Sequence, residues 1–191
     1  MPEIVKIKNV NIPDWKIAEF ARISHPQKKV PTKEDNIKLL QKLWDRGHFV
    51  PFEFQQIIFF VSTPLYTARQ WMRHRTGSFI EKSLRYSKVN FLEVDAPEGS
   101  NYVLESILMK YNELIEQGIK PEDARKILPM GLYTKFYWRV DSRNLFHFLE
   151  LRYSNHAQKN IRIMAGLILQ QLKMHPFTQN LYKLNMKGLK K

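Results

Sequence analysis

The chain has 191 residues, of which 43% are hydrophobic and 13% aromatic, enough to build a core and too many for a disordered segment. It carries 31 Lys and Arg against 18 Asp and Glu, a net charge of +13, and no cysteine. The charge favours anionic partners, whether nucleic acid, a membrane surface or small phosphorylated ligands, and the empty cysteine count excludes disulfides, thiolate metal sites and a Cys nucleophile. No apolar run approaches the roughly 18–20 residues of a membrane span. The N-terminus MPEIVKIKNV has no signal-peptide pattern, so a soluble cytoplasmic protein is expected.

Glu3 to Val10 alternates and predicts a first strand. Asp14 opens a short helix that ends near Ser24, before Pro26, and a loop with Lys28 and Lys29 follows. Thr32 with Asp35 makes a capping-box start for a helix through Trp44 that stops at Gly47. His48, taken alone, reads as a loop histidine. Phe54 to Val61, dense in Ile and Phe, predicts a buried strand. Ser62 and Thr63 then suit a cap and Pro64 a first turn, for a helix with Leu65, Ala68, Trp71 and Met72 on one stripe. Arg73, His74 and Arg75 fall in its last turn, Gly77 in a left-handed stop, and Ser78 to Ser87 in a polar loop near the sheet edge.

Residues 88–100 read as irregular, and Tyr102 to Gln117 as an amphipathic helix closed by Gly118. Pro121 starts a short helix, and Leu132 to Val140 is a third strand. Asp141 or Ser142 caps the next helix, which puts Arg143 and His147 on one face; His156 shares a face with Arg152 only if that helix runs on through Ser154 and Asn155. A long helix follows over 157–174, and the tail from Pro176 is basic. There is no internal repeat, no low-complexity tract and no clear domain boundary, so residues 1–191 are expected to form a single domain with a basic C-terminal tail.

The chemistry concentrates in Arg73 to Ser87, which brings three arginines, a histidine, a glutamate and several hydroxyls together. Cations in a helix's last turn are favoured by the helix dipole and need no further meaning. Arg85, flanked by serine and tyrosine, does not follow from that rule. Arg forks and hydroxyls in one place suit a phosphate or a planar hydrogen-bonding ring.

These residues resemble a known family. Arg73-His74-Arg75, seven residues and Ser83 reproduce the RHR-x7-S motif of the flavin-dependent thymidylate synthases. The extended motif RHRxxSxNExSxRY is met at Arg73, His74, Arg75, Ser78, Glu81, Ser83, Arg85 and Tyr86, and departs at Ile80, where the family has Asn. Gly47-His48 with Pro51-Phe52-Glu53 resembles the family's GHxxPFEH, with Phe54 in place of the last His. Ala124-Arg125 with Leu128-Pro129 resembles ARxxLP. Phe148-Leu149 through Arg152, His156-Ala157-Gln158 and Ile161-Arg162 resemble FLxLR…HAQxEIR, with Asn160 in place of Glu.

The resemblance implies an α+β (mixed α/β) fold, an antiparallel sheet flanked by helices, assembling as a homotetramer with shared active sites. It implies reductive methylation of dUMP to dTMP, with FAD as cofactor and NADPH and methylenetetrahydrofolate as co-substrates, without a protein Cys on the ring. The catalytic residues it implies are Arg152, Ser83 and His48, with Arg152 stabilising charge that develops on the uracil. Gln70, Arg73, Glu81, Ser83, Arg85, Arg125 and Arg152 would bind dUMP. Ser24, His48, Glu53, Arg73, His74, Arg75, Glu81, Arg143, His147 and His156 would bind FAD. No metal is expected. Taken alone, His147 and His156 read as ordinary helix histidines and Arg125 as a surface residue. Two other readings are compatible with the chain: a catalytically impaired flavin- and nucleotide-binding paralogue, or a basic nucleic-acid-binding module, which lacks recognisable nucleic-acid-binding motifs here.

Overall fold

The computed structural model describes residues 3–24, 29–86, 89 and 94–189. Pro26, Lys28, Ser87, residues 88 and 90–93 of the stretch read as irregular, and the terminal Lys190 and Lys191 lie outside the described residues. In chain order come β1 (Ile4–Val10), α1 (Ile17–Ala21) between two 3-10 turns, α2 (Lys33–Asp45), β2 (Gln56–Pro64), α3 (Leu65–Trp71) and β3 (Ser78–Glu81). They are followed by α4 (Asn101–Glu116), α5 (Pro121–Ala124), β4 (Tyr133–Asp141), α6 (Ser142–Arg152), α7 (Lys159–Met174) and α8 (Gln179–Gly188). The strands form one antiparallel sheet in the order β1-β2-β4-β3. An α+β fold with an antiparallel sheet and helices is what the sequence leads one to expect.

Alternation on the central strands sends Ile57, Phe59 and Val61 of β2 and Phe136, Trp138 and Val140 of β4 into the core. There they meet Phe148 and Leu149 of α6 and Met164, Ile168 and Leu172 of α7. The other face of the sheet carries Lys6, Phe60, Tyr137 and Ile80 as cross-strand neighbours in one row.

Several local expectations change at the junction of β2 and α3. Ser62 and Thr63 do not cap; they continue the ladder opposite Lys135 and Thr134, with their hydroxyls buried. The reason is tertiary. The first free N–H groups of α3 are satisfied by a neighbouring segment, Leu65 N donating to Leu132 O at 2.9 Å and Tyr66 N to Met130 O at 3.1 Å, so no side-chain cap is needed. The helix ends at Trp71, which puts Arg73, His74 and Arg75 beyond the last turn. Trp71 is fully buried and packs on Phe148 and Trp138, with ring centroids 4.7 and 5.3 Å away. Burying an indole of this size contributes on the order of 4–6 kcal/mol gross, and it fixes the chain two residues before the first arginine.

Gly77 is not a left-handed stop. The described glycines with positive φ are Gly47, Gly99 and Gly118. Gly77 is small because a Cβ there would collide with the Trp138 ring and the Arg139 carbonyl. That close approach lets residues 78–81 pair with β4, so the stretch read as a loop begins as an edge strand, and the expected third strand is the fourth in the chain.

The capping box at Thr32 and Asp35 forms as its spacing requires. Asp141 rather than Ser142 caps α6. That helix stops at Arg152, so His156 does not continue its face. The basic C-terminal stretch is not a loose tail in its described part. Asp14, almost fully buried, accepts from Asn180 N at 2.6 Å, Leu181 N at 3.2 Å and Asn180 Nδ2 at 2.9 Å, and so anchors the start of α8 against the core.

Candidate active site

The turn after α3 brings its cations against α6. Arg152, the last residue of α6, donates from Nε to His74 Nε2 at 2.9 Å and reaches Gln70 O at 3.5 Å. A ring nitrogen that accepts is unprotonated, so the proton of neutral His74 lies on Nδ1. Burial, followed by the nearby Arg152 and His147, lowers the His74 pKa to about 4. His74 also lies edge-on to buried Phe148, centroids 4.8 Å apart, and 6.2 Å from His147. Burial and then the like charge of Arg73 lower the Arg152 pKa. Its guanidinium remains a cation. One positive group is thus held by a neutral acceptor, next to a second cation, in partial burial. Such a site favours negative charge.

His147 leads from this cluster into a cavity of about 770 Å³. Trp44, Phe49 and Phe146 give it aromatic walls, Arg143 and His147 a polar side, and Asn185 and Leu189 of the docked C-terminal region line it. Arg143 pairs with Glu53 at its edge. Flat aromatic walls beside a guanidinium suit a planar group that carries phosphate, and the volume lies in the usual range for ligand pockets, about 300–1,000 Å³. A second, shallower groove is lined by Arg69, Arg73, Arg75, Glu81 and Met130. Glu81, at the end of β3, accepts from Thr134 Oγ1 at 2.7 Å.

The remaining expected residues fall into separate places. Arg85 pairs with Glu122 of α5, and Arg125 Nε donates to the Glu122 carbonyl at 3.2 Å, so these two arginines share a partner. Ser83 Oγ accepts from Arg85 N at 3.2 Å. Gln70 donates to Gln158 at 2.6 Å. Ser24, His48 and His156 are exposed and do not line the large cavity. The sequence reading did not single out Glu122, nor the aromatic walls Trp44, Phe49 and Phe146. An acid three residues before Arg125 was the available hint for Glu122. The walls, drawn from α2, the turn after it and α6, look in sequence like ordinary core positions.

Asn160, where the family has Glu, meets two carboxylates, with Nδ2 3.3 Å from both Glu3 Oε1 and Asp95 Oδ2. Burial first, then the charge of Asp95, raises the Glu3 pKa against the lowering effect of the Asn160 hydrogen bond. Tyr66 donates its hydroxyl to Asp95, and its own pKa is raised by burial and by that carboxylate. An amide at 160 is the donor this acidic corner needs. Ile80 is 74% exposed and opposes Tyr137 on the outer sheet face, the side away from Glu81.

Fold and site define a small α+β protein with an arginine–histidine cluster beside an aromatic-walled cavity. The family model described as thymidylate synthase complementing protein matches residues 7–176. The flavin-dependent thymidylate synthase of Thermosipho africanus is 37% identical over 178 residues, covering 80% of this chain and 78% of that one. The protein of the same name from Thermotoga neapolitana is 35% identical over 179 residues, covering 86% and 82%. Among solved structures, the UMP/dUMP methylase PolB from Streptomyces cacaoi bound with 5-Br dUMP superposes with a TM-score of 0.85 at 24% identity, over 97% of this chain and 95% of that one. At that identity the likeness speaks for the fold. The chain belongs to the flavin-dependent thymidylate synthase family, a family of methyltransferase enzymes.

Proposed function

We propose that the chain converts dUMP to dTMP by reductive methylation, with FAD as the flavin, NADPH as its reductant and methylenetetrahydrofolate as carbon donor. The observation that carries this reading is the Arg152–His74 pair, 2.9 Å from Nε to Nε2, in a chain of this family that has no cysteine to attack the ring. With Nε engaged by His74 and Nη2 reaching Gln70 O, the remaining N–H groups of Arg152 are the ones left for a uracil carbonyl. There they stabilise the negative charge that accumulates when carbon 5 becomes the nucleophile. Arg125 supports the same ring, and Gln70, Arg73, Glu81, Ser83 and Arg85 hold the sugar and phosphate, Arg85 as a charge-assisted fork.

The cavity beside His147 suits the flavin, with Glu53, Arg143, His147 and His74 as its holders, Arg73, Arg75 and Glu81 at the nucleotide side, and aromatic walls for the ring. When bound, the flavin supplies the hydride that completes the methyl group. Ser24, His48 and His156 are exposed away from this cavity, which favours a homotetramer whose neighbouring copies complete each flavin site. In that arrangement Ser83 and His48 reach the chemistry from separate segments. A cytoplasmic location accords with the absence of cysteine, and among the described residues no helix is long and apolar enough to cross a membrane.

The test is the visible spectrum of the purified chain after FAD addition and desalting, followed anaerobically with NADPH with and without dUMP, then assay of dTMP. A retained flavin band that bleaches at a rate altered by dUMP, with dTMP formed once methylenetetrahydrofolate is added, is the expected result. A flavin that binds but never bleaches, with no dTMP, would leave an impaired paralogue. A colourless protein in adequate FAD would sink the flavoenzyme reading.

A further inference from the structure

Glu122 gathers two arginines that lie far apart in sequence. Arg85 Nε reaches its Oε2 at 3.1 Å, and the Arg85 Nη2 group reaches the same oxygen at 3.0 Å. Arg125 Nε donates to its backbone carbonyl at 3.2 Å. Arg85 also lies over the Tyr86 ring, 5.5 Å from its centroid. Two guanidinium N–H groups converge on one anionic oxygen, and the same edge can meet two phosphate oxygens as a parallel fork. The pair is open to water, with the side chains 52% and 37% exposed. Solvent therefore screens the attraction, and the contact is weak enough to exchange.

We propose that Glu122 is an internal stand-in for the substrate's phosphate, holding the Arg85 fork in place before substrate binds and yielding it to a dianionic 5′-phosphate. This rests on the reading above that Arg85 binds the phosphate of dUMP. A phosphate dianion brings more charge and more acceptor oxygens than one carboxylate, so it can displace Glu122. An uncharged nucleoside cannot. The phosphate's contact with Arg85 is what distinguishes nucleotide from nucleoside, and Glu122 tempers it: nucleotide binding is weakened, because the substrate must first break the Arg85–Glu122 pair and then sit near a released negative charge.

The experiment is calorimetric titration of the FAD-loaded protein with dUMP and with deoxyuridine, for wild type, Glu122→Gln and Glu122→Ala. Both substitutions remove the charge, and the first keeps the side chain's size. Expected is a Kd for dUMP lowered about two- to five-fold in both variants, the range set by a solvent-exposed pair, with deoxyuridine affinity unchanged and the gain fading in high salt. A Kd for dUMP that stays the same or rises in Glu122→Gln, with wild type binding normally, overturns the proposal; a rise would make Glu122 a residue that positions Arg85 for substrate. If wild type binds no dUMP, the nucleotide reading itself fails, and this proposal falls with it.

Discussion

Acidification from pH 8 to pH 4 should loosen the Arg152 end of α6 through His74. An ordinary histidine takes up its proton near pH 6.5, whereas burial holds His74 near 4. Between these values the unfolded chain binds a proton that the folded chain refuses. The contribution of neutral His74 is therefore present in full above pH 6.5, erodes as the pH falls toward 4 and is flat below. A shift of this size corresponds to about 3.4 kcal/mol at most. Because the imidazole is only half-buried, screening by solvent reduces that to about 1–2 kcal/mol. The structural event is loss of an acceptor: protonated Nε2 no longer takes the hydrogen bond from Arg152 Nε, and two cations then face each other.

His74→Gln isolates the effect, since Gln can accept from Arg152 and does not titrate. Urea unfolding of both proteins at intervals from pH 8 to 4 should show wild type losing about 1–2 kcal/mol relative to the variant across that window. The variant's own pH dependence, from Asp14, Glu3 and other carboxylates, cancels in the difference. The His74 Cε1–H resonance should titrate near pH 4. A midpoint at 6 or above, or a stability difference that does not change with pH, would falsify the account of His74 as the neutral acceptor.

Asp14→Ala removes the acceptor for two backbone N–H groups and one side-chain amide of α8, and should cost about 2–4 kcal/mol. Because Asn185 and Leu189 line the large cavity, flavin retention after desalting should fall along with the melting temperature; unchanged retention would show that α8 is not needed for that site. Asn160→Glu, which restores the residue usual in the family, puts a third carboxylate beside Glu3 and Asp95. It should destabilise the protein by about 1–3 kcal/mol at neutral pH, with recovery in mildly acid solution as one carboxyl takes a proton, and denaturant unfolding at two pH values reads this directly. Ile80→Asn changes an exposed position on the outer sheet face. Stability should move by less than about 0.5 kcal/mol, and dUMP affinity should stay within about two-fold by titration, because one chain's own Ile80 faces away from Glu81; a larger change would place ligand on that face through another copy.

Local chemistry was readable wherever it closed within a few residues. The Thr32–Asp35 capping box, the stop at Gly47 and the closure at Gly118 form as their sequence states. The alternation of the first strand, by contrast, holds only to Ile7 and then breaks at a bulge before Asn9, which leaves Val10 buried in the core with Val5. The motif also placed the chain in its family from a single run of side chains, and the lack of cysteine excluded thiol chemistry. What failed were the boundaries beside Ser62 and Gly77. At Ser62 the free N–H groups of α3 found carbonyls from the 130–132 segment, and at Gly77 the need for glycine came from a tryptophan ring more than sixty residues away.

The candidate site divides in the same way. The sequence alone determined which side chains were present: the arginine–histidine run, Arg125, Arg152 and the basic excess. Only the tertiary structure decided their partners. His74 meets Arg152 across 78 positions, Arg85 meets Glu122 across 37, and Asp14 anchors α8 across more than 160. No periodicity encodes such pairs. Each depends on where burial of Trp71, Phe148 and their neighbours sets the helices against the sheet, and that packing is a property of the whole core.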